Sequence, residues 1–167
     1  MDIPHLITRT EQNLSLTGAN QARLLRSGAV LVSCIGNLGK VCIAGVKLST
    51  NQQINAIEFD NQIVGDRYGF LYCQTLRPWM EKEASATTVS ILNKSRFSLA
   101  QIPIAPLNEQ KRIADRLDQL LTRIDKIKAH LDRIPPLLKR FRQSVLAAAT
   151  SGKLSEEWRE EYVALLN

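Results

Sequence analysis

The sequence predicts an α+β protein: a small mixed α/β domain over residues 1–106, a long C-terminal coiled-coil helix over 107–151, and a short helical tail over 152–167. Two observations predict it. Apolar side chains recur at spacings of four and three, unbroken, at Ile113, Leu117, Leu120, Ile124, Ile127, Leu131, Ile134, Leu138, Phe141, Val145 and Ala148. On an α-helix this spacing draws one narrow seam, whereas a helix packed on a globular core shows a wider apolar face. Upstream, short β-branched runs between turn residues alternate with helical spacing, the mixture of a small α+β core.

Residues 1–20 are polar and irregular and open with no clear element. Ala29 to Ile35 reads as a buried strand entered at Gly28 and left at Gly36, and Lys40 to Val46 returns as its hairpin partner. Ile54 to Phe59 is a third strand, ended by Asp60-Asn61 turn chemistry. Asp66 then offers an N-cap for a helix carrying Tyr68, Leu71, Tyr72, Leu76 and Trp79 on one face, with Pro78 near its end. Glu81 to Thr88 is read as a loop. Asn93 caps a short helix through Ala100, and Ile102-Pro103-Ile104 reads as an edge strand, because proline cannot donate to a ladder.

Asn108 is placed as the cap of the long helix, with Glu109 complementing its positive end. Pro135-Pro136 lies inside the arm, where each proline would cost about 3 kcal/mol in an unbroken helix. The seam stays in phase across the pair, so a kink or restart is expected, with a proline in the new first turn. Gly152 stops the arm, and Ser155-Glu156-Glu157 opens a tail built around Trp158 and Tyr162.

The formal charge is +6 with a pI of about 9.5, which favours polyanionic partners. Most of that excess is in the arm: Asn108 to Ala149 holds ten Lys/Arg against five Asp/Glu. A solvated coiled-coil flank and direct phosphate contact both account for it. Cys34, Cys42 and Cys73 lack CxxC spacing, so they predict neither a zinc site nor a disulfide framework, and a reducing cytoplasmic setting is expected. No apolar run is long enough for a membrane span.

Catalytic chemistry finds no foothold. His5 and His130 have no partner of the right type nearby in sequence, and Gly36-Asn-Leu-Gly-Lys40 lacks the spacing and the Ser/Thr of a phosphate-binding loop. The chain reads as non-enzymatic, with no metal site and no cofactor of its own. Polar side chains collect instead in turns: Asn37 and Lys40 in the hairpin, Thr50 with Asn51, Gln52 and Gln53 before the third strand, Ser85, Thr87 and Thr88 in a further loop, and Lys94 just beyond. Asn and Gln can read adenine bidentately, and Lys and Thr suit phosphate oxygens. Any one of these taken alone is better read as an ordinary turn residue closing a hairpin.

Three segments together carry a family resemblance. Gly28-Ala-Val-Leu-Val-Ser-Cys-Ile-Gly-Asn-Leu-Gly-Lys40 followed by Thr50-Asn-Gln52 resembles the core of a target recognition domain of type I restriction–modification specificity (S) subunits. Ile102-Pro-Ile-Ala-Pro-Leu-Asn-Glu-Gln-Lys-Arg-Ile113 resembles the junction that ends such a domain. Leu138 to Leu154 resembles the far end of the family's conserved helix.

The resemblance implies a non-catalytic subunit that selects double-stranded DNA for a partner adenine methyltransferase (M) subunit. S-adenosylmethionine would be held by that partner, and an ATP-driven restriction (R) subunit could join. The DNA-binding residues implied are Asn37, Lys40, Asn51, Gln52, Gln53, Thr87, Thr88 and Lys94. The helix-pairing residues are Ile113, Leu117, Leu120, Ile124, Ile127, Leu131, Leu138, Phe141 and Val145.

A complete specificity subunit of this family has two domains and two antiparallel helices, whereas this sequence shows one of each. A half-length or N-terminally incomplete form is therefore expected, pairing through its helix with itself or with another specificity chain. The competing reading is a coiled-coil assembly protein that docks the methyltransferase without reading DNA.

Overall fold

The computed structural model describes residues 6–84 and 89–165. The chain divides into two compact units, Met1–Leu117 and Asp118–Asn167. The first holds a four-stranded sheet in the order β1-β3-β2-β4, formed by β1 (Leu6–Ile7), β2 (Val30–Ser33), β3 (Val41–Ala44) and β4 (Ile54–Ile57). β2 pairs antiparallel with β3 as the expected hairpin and with β4 on its other side, while β1 runs parallel to β3.

Strand side chains alternate between two cores, as a pleat requires. Val30, Val32, Val41 and Ile43 face a larger cluster with Phe70, Leu71, Cys73, Leu76, Met80, Leu92, Phe97 and Ala114. Leu31 and Ala44 face the other way, with Leu25 and Ala29. The larger cluster is roofed by α2 (Asp66–Cys73), a 3-10 turn (Gln74–Leu76), α3 (Arg77–Glu83) and α4 (Lys94–Phe97). The first turns of α5 (Leu107–Leu131) close it with Ala114.

Several expectations need correction. The first twenty residues do contain elements: β1, and α1 (Leu16–Gln21), whose Ser15 cap accepts from the Gly18 N–H at 3.0 Å. Asp66 is the first residue of α2 rather than its cap, because its carboxylate is taken by Arg26. The helix expected to run to Trp79 breaks at the 3-10 turn, and Pro78 lies in the first turn of α3. Tyr72 and Trp79 only flank the core, which Phe70, Cys73 and Met80 fill, and half-buried Tyr68 is not part of it.

The loop expected from Glu81 is helical to Glu83, and α4 stops at Phe97 although Asn93 does cap it. Ile102 to Ile104 is not a strand. Its neighbourhood is held by side chains: Tyr72 donates to the Gln101 carbonyl at 2.6 Å and Tyr68 to that of Pro103 at 2.9 Å. α5 begins at Leu107, so Asn108 lies within its first turn. The Pro106 carbonyl accepts from Glu109 N–H and Gln110 N–H, as a cap position should.

In the second unit the arm breaks where the proline pair predicts. α5 ends at Leu131 and α6 (Ile134–Thr150) restarts with proline in its first turn, where a missing N–H costs nothing. Gly152 then takes a left-handed conformation (φ +74°) that only glycine adopts freely. Past it, α7 (Glu156–Leu165) stacks Trp158 on Tyr162, ring centres 5.2 Å apart.

Burial pushes the Cys73 thiol up to about 12 and raises those of Cys34 and Cys42. The thiolate is the reactive form. At pH 8 the native protein is therefore expected to resist alkylation by iodoacetamide at Cys34 and Cys73, with half-buried Cys42 reacting first. Mass spectrometry of native against urea-unfolded protein checks this; Cys73 labelling at the unfolded rate would contradict the packing.

Candidate nucleic-acid interface

The β2–β3 turn sets the site. Ser33 N–H donates to the Lys40 carbonyl (2.9 Å) and Gly39 N–H to that of Ser33 (2.9 Å), while the Ser33 hydroxyl donates to the Asn37 carbonyl (2.6 Å). Gly39 has φ +73°, and a Cβ there would lie 2.7 Å from Arg77 Cβ, so only glycine lets the turn rest on α3. The turn is thus rigid, with Asn37 and Lys40 exposed at its surface.

Two further loops are laced to the same strand end. Cys34 N–H donates to the Gln53 carbonyl at 2.8 Å, which binds the 51–53 loop to one side. Leu92 N–H donates to the Cys34 carbonyl and Gly36 N–H to that of Ser90, both at 2.9 Å, which binds the 90–92 segment to the other. Asn51, Gln52, Gln53 and Lys94 are all exposed there. Segments up to 57 residues apart in sequence, from Asn37 to Lys94, are therefore gathered at one end of the sheet. Thr87 and Thr88, with Ser85, lie outside the described residues.

The cations here are uncommitted. Among the described residues neither Lys40 nor Lys94 makes an ion pair. Arg26, by contrast, is a structural cation. It holds Asp66 through two bonds of 2.6 and 2.7 Å and donates to the Phe59 carbonyl at 2.8 Å, and its bond to Asp66 raises its pKa. Asn51 is partly occupied by its own turn, its side-chain oxygen accepting from Gln53 N–H at 3.1 Å.

Sequence reasoning missed the Arg26–Asp66 clamp and the buried amide of Gln110. That amide accepts from Gly65 N–H (3.0 Å) and donates to the carbonyls of Ile63 (2.8 Å) and Ala105 (2.7 Å). The signal was present only as a glutamine on the helix face that also carries Ala114. Among the described residues no group of three or more His, Cys, Asp or Glu is placed to hold a metal ion.

The helix-pairing residues form a bare stripe. Leu117, Leu120, Ile124, Ile127, Leu131, Leu138, Phe141 and Val145 are exposed, Ile127 and Phe141 at 59% and 64%, while Ile113 is half-buried. Scattered exposed leucines are ordinary, whereas these recur at helical spacing along both α5 and α6.

The profile of the type I restriction modification DNA specificity domain matches residues 2–135. The chain belongs to that family. The specificity subunit of the EcoKI enzyme of Escherichia coli is 47% identical over 76 residues, covering 46% of this chain and 16% of that subunit. The EcoBI specificity subunit, also from Escherichia coli, is 38% identical over 107 residues, covering 64% of this chain and 23% of that subunit. The chain thus spans less than a quarter of the length of either relative.

Among solved structures, a chain from a study of complex assembly and conformational transition of the type I R-M system superposes with a TM-score of 0.66 at 25% identity. That match covers 76% of this chain and 31% of the other. The HsdS subunit of Thermoanaerobacter tengcongensis gives 0.54 at 24% identity, covering 63% and 25%, and shares the fold. The specificity domain expected from the hairpin and junction segments is therefore the one found, and the distal-helix segment lies beyond the matched residues. No helix among the described residues is long and apolar enough to cross a membrane.

Proposed function

We propose that this chain is a DNA specificity subunit, or part of one, in a type I restriction–modification assembly, reading double-stranded DNA and docking an adenine methyltransferase subunit. The observation that carries the reading is the gathering of the exposed hairpin turn, the exposed 51–53 loop and the 90–94 segment at one sheet end of a specificity domain, with Lys40 and Lys94 making no ion pair among the described residues. In this reading the chain performs no catalysis. S-adenosylmethionine belongs to the methyltransferase, and a restriction subunit joins the finished assembly. The bare seam of α5 and α6 supplies the frame.

In this reading the seam's partner is a second copy or another specificity chain. Both helices are net cationic: α6 carries Lys139, Arg140 and Arg142 with no acid, and α5 carries six Lys/Arg against Glu109, Asp115, Asp118 and Asp125, so net charge does not set the direction of pairing.

Co-expression with a type I methyltransferase subunit tests the reading. Co-purification together with DNA binding that weakens as salt rises supports it, and neither occurring overturns it. Co-purification without DNA binding would instead favour the assembly-protein reading. Within the complex, Lys40→Gln is expected to weaken binding evenly across sequences. Asn51→Ala or Gln52→Ala is expected to cost about 1–3 kcal/mol against the preferred site alone, and so to relax specificity. Competition binding with matched and mismatched duplexes separates the two patterns.

A further inference from the structure

At the start of β4 lies a pocket of about 250 Å³ lined by Arg23, Ser49, Thr50, Asn55 and Lys94, floored by Leu25, Ile54 and Ala56. Its polar members come from four stretches of chain, so no sequence motif announces it. Ser49 and Thr50 are half-buried, and their hydroxyls have no partner among the described residues. Lys94 makes no ion pair there. Arg23 stands 3.9 Å from Glu58 with its own side chain 74% exposed, a long and solvated pair that binds it weakly. Glu58 is meanwhile engaged by the Arg26 backbone N–H at 2.8 Å. Two solvent-exposed cations and two hydroxyls unused among the described residues thus line one opening, and Thr50 adjoins the Asn51–Gln53 loop.

We propose that this pocket seats a phosphodiester of the DNA backbone, with Arg23 and Lys94 supplying charge and Ser49 and Thr50 donating to the phosphate oxygens. The proposal rests on the DNA reading above and divides the labour within it. The pocket fixes register without regard to sequence, leaving the neighbouring Asn51 and Gln52 to meet base edges. It makes Lys94 a backbone contact and adds Arg23, Ser49 and Thr50 to the interface. A structural alternative exists, because charged side chains beside an open edge strand such as β4 also discourage strand-to-strand aggregation.

The experiment measures DNA affinity of the methyltransferase complex over a salt series, for wild type, Arg23→Gln/Lys94→Gln, Thr50→Ala, and Lys82→Gln on α3 as a charge control. Each phosphate contact contributes about 0.9 to the slope of log affinity against log salt. The double variant is expected to flatten that slope by about 1, the loss of one phosphate contact, and to bind about tenfold or more weakly at low salt. Thr50→Ala should weaken binding with the slope kept, and Lys82→Gln should change neither.

A double variant with unaltered slope, or a Lys82→Gln effect as large as that of the pocket, overturns the seat. Loss of solubility with the slope intact assigns Arg23 and Lys94 to edge protection and overturns it equally. If the wild-type complex shows no salt-dependent binding at all, the DNA reading itself fails, an outcome distinct from failure of the pocket.

Discussion

If the seam joins two copies, Leu120→Asp and Ile127→Asp are each expected to abolish that association, leaving a chain that elutes as an 18.7 kDa monomer where the wild type is expected at about twice that mass. Both positions are on the seam and more than 40% exposed in the single chain, so neither substitution disturbs a packed core. In a paired seam the same carboxylate would be buried against leucine and isoleucine. Leaving a buried charge without a partner costs about 3–5 kcal/mol, and a pair of identical chains suffers it twice. That sum rivals the whole stability of a modest helical interface. Lys126→Gln, one residue off the stripe, should keep the wild-type mass. Light scattering after gel filtration measures all four proteins, and far-UV circular dichroism confirms that the helices survive. Unchanged mass in both aspartate variants would show that the seam is not where the chain associates.

The two units were legible in the sequence to different degrees, and the physics of each explains why. The arm is governed by local spacing: its seam, its break at Pro135–Pro136 and its stop at Gly152 are properties of neighbours within a few turns. The hairpin and β4 were legible for the same reason, because Gly36 and Gly39 mark the turn and Val30 to Val32 must be buried. What escaped was settled by distant partners. Leu6–Ile7 is too short to announce itself and becomes a strand only because β3 offers an edge. Asp66 has every local mark of a cap, yet Arg26, forty residues earlier, claims it with better geometry. Ile102–Ile104 has strand composition, but Tyr68, Tyr72 and Gln110 take carbonyls of that segment and its flanks. At the candidate site the polar loop residues were visible one by one. Their assembly was not, since it depends on the bonds that tie Gln53 and Leu92 to Cys34.

The second large effect is expected at Gln110, the one buried polar side chain among the described residues with nothing to do but hold others. It is 1% exposed, and its amide joins three backbone groups that α5 and the preceding loops would otherwise leave unpaired: Gly65 N–H and the carbonyls of Ile63 and Ala105. Gln110→Leu preserves approximate volume and helix propensity, so the loss isolates the hydrogen bonds. An orphaned buried polar group costs about 1–3 kcal/mol. Three of them, partly relieved by water reaching the half-buried Gly65, give an expected loss of about 3–4 kcal/mol. In a domain of this size that lowers Tm by more than about 10 °C. Gln110→Glu adds a sign test. The acid keeps an acceptor for Gly65 N–H, but once ionised it faces two carbonyl oxygens with no proton to give. Burial and those carbonyls favour its protonated form in the folded state, raising its pKa above the unfolded value of about 4.3. Its folded state is then best supported below that value and loses stability as pH rises through the raised one. Urea unfolding at pH 4 and pH 7 should therefore separate Gln110→Glu from wild type more widely at the higher pH, while Gln110→Leu stays displaced by a similar amount at both. A leucine variant as stable as wild type would mean that the junction between the specificity domain and α5 is held by apolar packing of Ala114 alone.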